Sequence, residues 1–87
     1  MTSYRVEYTP KVLKRFSKLD RTTALRIKAF LDDLDGTDSP RRSGTALVGD
    51  GQFWRYRVGD HRIIATIDDG AVVILVIEVA HRRAVYR

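Results

Sequence analysis

The sequence predicts a small α+β domain in which a helical hairpin lies on one face of an antiparallel sheet, and three observations predict it. The alternating segment YRVEY opens the chain at 4–8, two segments of helical spacing follow it back to back, and three alternating stretches close it. The resulting order, β-α-α-β-β-β, places helices on one side of a sheet. Eighty-seven residues suffice for one hydrophobic core, so 1–87 reads as a single domain. Its 44% hydrophobic and 31% charged residues are the composition of a folded chain and argue against disorder.

Each element has its own signature. Tyr4, Val6 and Tyr8 alternate with Arg5 and Glu7, the period of a strand buried on one face. Thr9 and Pro10 read as the N-cap and first residue of a helix. Val12, Leu13, Phe16 and Leu19 form its apolar stripe, with Lys11, Lys14, Arg15 and Lys18 on the wet side. Asp20 caps a second helix whose stripe is Ala24, Ile27, Leu31 and Leu34, and Gly36 stops it. So short a link makes the two helices an antiparallel hairpin.

Residues 36–51 read as a loop, rich in Gly, Ser and Thr, which carries Arg41 and Arg42 and is anchored in the core by Leu47. A three-stranded antiparallel meander follows at 52–58, 61–68 and 71–80. Gly59-Asp60 suits a type II′ turn and Asp69-Gly70 a type I′ turn. The last strand is apolar at almost every position, which makes it central, with the first strand beside it.

Composition narrows the function. Sixteen Lys and Arg against 11 acidic residues leave a net charge of +5, which suggests a polyanionic partner such as nucleic acid, or an acidic protein. The absence of cysteine excludes disulfides and thiolate zinc sites. Two histidines, His61 and His81, without His-x-x-x-His spacing argue against a metal site. The opening residues show no apolar signal segment, and the apolar run 71–77 is far too short to span a membrane. A cytoplasmic protein is the expectation.

The segment FWRYRVGDHRII, 53–64, concentrates the puzzle. With Gly59 and Asp60 as the turn, Arg57 faces Arg62 and Arg55 lies diagonal to it. Phe53, Arg55, Arg57 and Arg62 then share one face, while Trp54, Tyr56, Ile63, Ala65 and Ile67 pack under the helices. In a register without a bulge, Ile77 faces Arg62, Glu78 faces His61 in a surface ion pair, and His81 arrives on the arginine face. Like charges opposed across a strand pair cost stability, and a cradle for phosphates explains the arrangement best.

WRYRVGDHRII, then an apolar strand, then VAHRRAVYR resembles the RelE branch of the RelE/ParE superfamily, toxins of type II toxin–antitoxin pairs. The resemblance runs over nearly the whole chain. It implies a compact endoribonuclease that cuts messenger RNA in the ribosomal A site without metal or cofactor. It also implies a cognate antitoxin that wraps and silences the toxin in a hetero-oligomer. Arg62 matches the family's phosphate-binding arginine, Arg82 the arginine after the strand, and Tyr86 the tyrosine near the C-terminus. His81 matches a histidine of many members. Arg55 and Phe53 stand where the best-studied branch carries lysines, and Ala80 and Ala84 replace the usual glycine and glutamate.

The chemistry can be argued on its own terms. Metal-free RNA cleavage needs a base for the 2′-hydroxyl, cations for the charged phosphorane and an acid for the leaving 5′-oxygen. Arginine suits the second role, and histidine either proton transfer. The catalytic set expected is therefore Arg55, Arg62, His81, Arg82 and Tyr86, with His81 as base or acid. Arg41, Arg42, Arg57 and Arg83 are expected to bind RNA. Two alternatives stand beside this reading: a ParE-like inhibitor of DNA gyrase without nuclease activity, and an inactive RNA-binding relic.

Overall fold

The computed structural model describes residues 2–47 and 53–81. Strand β1 (Arg5–Tyr8) leads into α1 (Pro10–Phe16) and α2 (Arg21–Leu34). A short strand, β2 (Thr45–Ala46), precedes β3 (Phe53–Val58), β4 (His61–Asp68) and β5 (Val73–His81). The sheet order is β1-β5-β4-β3-β2, antiparallel except where β1 runs parallel to β5. The last strand is internal, with the first strand beside it as expected, but the centre of the five-stranded sheet is β4. β2 is an addition, formed inside the segment expected to be loop.

Local chemistry sets the helices. The Thr9 hydroxyl accepts the Val12 N–H at 3.2 Å, and the Asp20 carboxylate accepts that of Thr23 at 3.1 Å. Val12 of α1 and Ile27, Leu31 and Leu34 of α2 cover Tyr56, Ile63, Ala65, Ile74, Val76 and Val79. Leu13 does not join this core. α1 is only seven residues long and turns Val12 to the sheet, leaving Leu13 56% exposed beside the equally exposed Leu25.

The loop after α2 is held by the sheet rather than by Leu47, which is only half-buried. Tyr56, 1% exposed, donates its hydroxyl to the carbonyl of buried Pro40 at 2.5 Å, and Trp54 donates its indole N–H to Ser43 at 2.8 Å. Burial pushes the Tyr56 phenol up to about 12, so it remains a donor at any physiological pH.

Two departures alter the register. β4 and β5 are joined by four residues, since Asp68 pairs with Val73, and not by a two-residue Asp-Gly turn. The Asp68 carboxylate takes the Ala71 N–H at 3.0 Å, and the Val72 carbonyl takes the Arg5 N–H of β1 at 3.0 Å. Val72 pays for this with φ +59, a left-handed conformation that costs a β-branched residue about 1–2 kcal/mol. Further along, Ala65 pairs with Val76 but Ile64 with Glu78, so Ile77 is an extra, bulged residue. Among the described residues no helix is long and apolar enough to cross a membrane.

The tightest backbone approach is at Gly44, φ +84. A β-carbon there would collide with the Arg55 carbonyl oxygen and come within 2.6 Å of Trp54 Nε1. Gly44→Ala is expected to cost about 2 kcal/mol or more, from overpacking plus a left-handed backbone. On a domain this size that lowers Tm by roughly 8–16 °C, measurable by thermal melting. A shift of less than about 2 °C would show that β2 is not held against β3 in this way.

Candidate RNA-binding face

The strand pair β3–β4 builds the arginine face as the sequence predicts. Arg57 pairs directly with Arg62, and Arg55 pairs with Ile64, diagonal to Arg62. Directly opposed residues leave their β-carbons roughly 5 Å apart, so Arg57 and Arg62, with Arg55 on the diagonal, leave the strand pair on one side. Gly59, φ +58, makes the two-residue turn that fixes this register. The patch lies on the face away from α1 and α2, over a half-buried floor that includes Phe53, Ile64 and Leu75.

The three arginines differ in setting. Arg57 is exposed and Arg55 half-buried, its guanidinium donating to the Thr45 hydroxyl of β2 at 3.2 Å. Arg62 is only 3% exposed. Across from it sits Ala80, also buried, whose small side chain leaves room for the guanidinium. A cation withdrawn from water acts on a neighbouring phosphate through a lower effective dielectric than a surface one.

The bulge overturns the placement of His81. The expected pairs Arg62–Ile77 and His61–Glu78 are replaced by Arg62–Ala80 and His61–His81. Opposed residues project on the same side, and His61 lies on the side of Ile63, under the helices. The two imidazoles meet edge to face, centroids 5.2 Å apart, and line a cavity with Asp20, the N-cap of α2, and with Thr23 and Arg26 of that helix. His81 therefore does not join Arg55, Arg57 and Arg62. His61, missed as its partner, titrates below its ordinary value, chiefly through burial and then through His81 and Arg15. Glu78 instead meets Lys11 at 3.7 Å.

The loop arginines part company with the patch as well. Arg41 gives its fork to Asp69, both bonds 3.1 Å, and the Tyr4 hydroxyl donates to the same carboxylate at 2.7 Å. Asp69 lies seven residues beyond Arg62, about 20 Å along the strand direction. Arg42 stays exposed near Asp38, 3.8 Å away. Arg82, Arg83 and Tyr86 lie outside the described residues.

Comparison with known proteins decides the family. The model for the ParE toxin of type II toxin–antitoxin systems matches residues 6–86. This chain belongs to that family. Within the wider RelE/ParE superfamily it is similar to a chain of the toxin–antitoxin complex RelBE2 from Mycobacterium tuberculosis, with 26% identity and a TM-score of 0.80 over 94% of each chain. It is similar to a chain of the RelE–RelB complex from Pyrococcus horikoshii, with 30% identity and a TM-score of 0.75 over 94% of this chain and 97% of that one. For the isolated RelE toxin of Escherichia coli the values are 25% and 0.76, over 91% of this chain and 84% of that one. No curated protein matches the sequence. The ParE-family chain is thus a type II toxin whose likeness to solved structures runs to RelE.

The ion pair at the far end of the sheet yields a pH test. Arg41, then the Tyr4 hydroxyl, hold the Asp69 carboxyl below its ordinary range in the folded state. Its contribution is thus complete above the unfolded value of about 3.9 and is lost as pH falls through the lower folded value. Asp69→Asn should melt below the parent at pH 7, and the two melting curves should converge on acidification below about pH 4. A gap that persists unchanged in acid would assign Asp69 a role independent of its charge.

Proposed function

We propose that this toxin is a ribonuclease that cuts messenger RNA in the ribosomal A site and is held inactive by a cognate antitoxin. The observation that carries the reading is the placement of Arg55, Arg57 and Arg62 on one side of the β3–β4 strand pair. The solved relatives crystallised with RelB antitoxins support the antitoxin partner and a toxin–antitoxin hetero-complex. The fold has the dimensions of a compact wedge, 36 × 27 × 22 Å, suited to entering a confined site.

In this mechanism the arginines bind the phosphate before reaction and hold it more tightly as charge develops. The 2′-hydroxyl attacks phosphorus, negative charge grows on the equatorial oxygens, and the bond to the 5′-oxygen breaks to leave a cyclic phosphate and a 5′-hydroxyl. In this reading Arg62, Arg55 and Arg82 stabilise the charge on those oxygens, and Arg57 steers the strand. No arginine is a useful base, because a guanidinium keeps its proton throughout the working pH range. His81 lies on the helix side, against His61, so in this reading proton transfer falls to Tyr86. Ribosomal alignment of the 2′-hydroxyl supplies much of the rate.

A second reading has its own support. The family model that matches is that of ParE, which favours a toxin acting on DNA gyrase without cleaving RNA. The readings separate cleanly. Toxin added to programmed ribosomes should produce new messenger ends, and added to gyrase should leave supercoiling intact. Inhibited supercoiling with uncut message would replace the nuclease reading by the ParE one.

Arg62→Ala should lower cleavage by roughly 10²–10³-fold, the usual cost of removing one donor to a developing oxyanion. Arg62→Lys should not restore full activity, since a point charge cannot reproduce the bidentate fork. Tyr86→Phe should be as damaging as the loss of a general acid or base, roughly 10²–10⁴-fold, and His81→Ala far milder. Single-turnover cleavage on ribosomes measures all four. A His81→Ala defect as deep as that of Tyr86→Phe would return the proton transfer to His81.

A further inference from the structure

The arginine face leaves a second set of cations unexplained. Lys11, Lys14 and Arg15 of α1, with Lys18 just beyond it, line a groove of about 460 Å3 along the edge of β5. Its floor is Val12, Val79 and Ala80. The groove exists because β1 ends at Tyr8, opposite Val76, so that α1 and not a strand flanks the last residues of β5. Glu78, the acid in the groove, is engaged by Lys11. Lys14, Arg15 and Lys18 are exposed and make no ion pair with any of the described residues.

Like charges one turn apart on a helix destabilise it, so their concentration on this side asks for a reason. Ala80 provides the link. It lines the groove and also lies directly across from Arg62, so the groove opens onto the arginine face. We propose that the groove carries the RNA strand flanking the phosphate at Arg62, with Lys14, Arg15 and Lys18 holding its backbone. The inference rests on the RNA reading above and extends it to a track that the cleavage chemistry does not use.

An acidic protein segment would satisfy the charge, but the anchors it needs are elsewhere. The exposed apolar side chains Leu13 and Leu25 line a different groove, with Tyr8 and Phe16. Protein partners draw their binding energy from such apolar anchors, whereas long ammonium side chains over a narrow floor hold phosphates as point charges.

The test is fluorescence anisotropy with a labelled, mixed-sequence RNA dodecamer over a range of salt. Lys14→Glu/Lys18→Glu should lower affinity at least tenfold. It should also reduce the log–log salt slope by about 1.4, two phosphate contacts at about 0.7 each. Lys14→Gln/Lys18→Gln, gentler on the fold, should reduce the slope equally. Arg5→Glu/Lys28→Glu, matched in charge but outside the groove, should stay within twofold of the parent. Equal losses in groove and control variants, or none in either, would overturn the proposal. So would a groove variant that binds RNA like the parent but no longer co-purifies with antitoxin, which would assign the groove to protein. If the groove variants lose RNA binding as expected but the parent never cuts message, the nuclease reading fails and the track stands.

Discussion

β5 must satisfy two neighbours of opposite sense, β1 running parallel on one side and β4 antiparallel on the other, while its middle residues are covered by the helices. It carries one residue more than β4 can match, Ile77, and that surplus governs the molecule. Without the bulge, strict alternation from Ile74 and Val76 would put Glu78 under the helices, where an unpaired carboxylate is costly. With it, Val79 takes the core position opposite Ile63, and Glu78 reaches Lys11 at the sheet's edge. One inserted residue thus protects the core, sets Ala80 across from Arg62 and turns His81 toward α2.

The opposite end of the sheet is secured by charge rather than packing. Asp69 receives Arg41 from the loop and the Tyr4 hydroxyl from the start of the chain, tying three distant segments at one carboxylate. The β1 edge is closed by the same economy, since the Thr37 carbonyl accepts the Tyr4 N–H and the Asp35 carboxylate that of Val6. Each outer donor satisfied in this way is one fewer that another chain could pair with. The loop that looked free to reach for RNA is instead structural at Arg41.

Much of this was legible in the residues. Thr9-Pro10, Asp20 and Gly36 mark the helix ends because capping chemistry is local, and Gly59-Asp60 fixes the arginine register because a two-residue turn admits one pairing. The β4–β5 connection was not legible in this way. Asp69-Gly70 resembles a hairpin turn, but long-range bonds to Tyr4 and Arg41 recruit Asp69, and Asp68 closes a wider loop on Ala71. The bulge had one local signal, the charge of Glu78 on what alternation makes the buried side. Everything placed beyond the bulge by alternation, His81 above all, inherited the wrong face.

The arginine face shows stability and function opposed in a single strand pair. Like charges directly opposed across a strand pair oppose its formation, less when exposed side chains splay into water. Arg57 has that freedom and Arg62, nine-tenths withdrawn from solvent, does not. In the reading proposed above, a phosphate beside the pair would offset that cost and return it as binding free energy for a polyanion. Any ligand that binds the folded protein and not the unfolded chain also stabilises the fold. In that reading, an RNA strand bound on this face would therefore stabilise the fold that binds it.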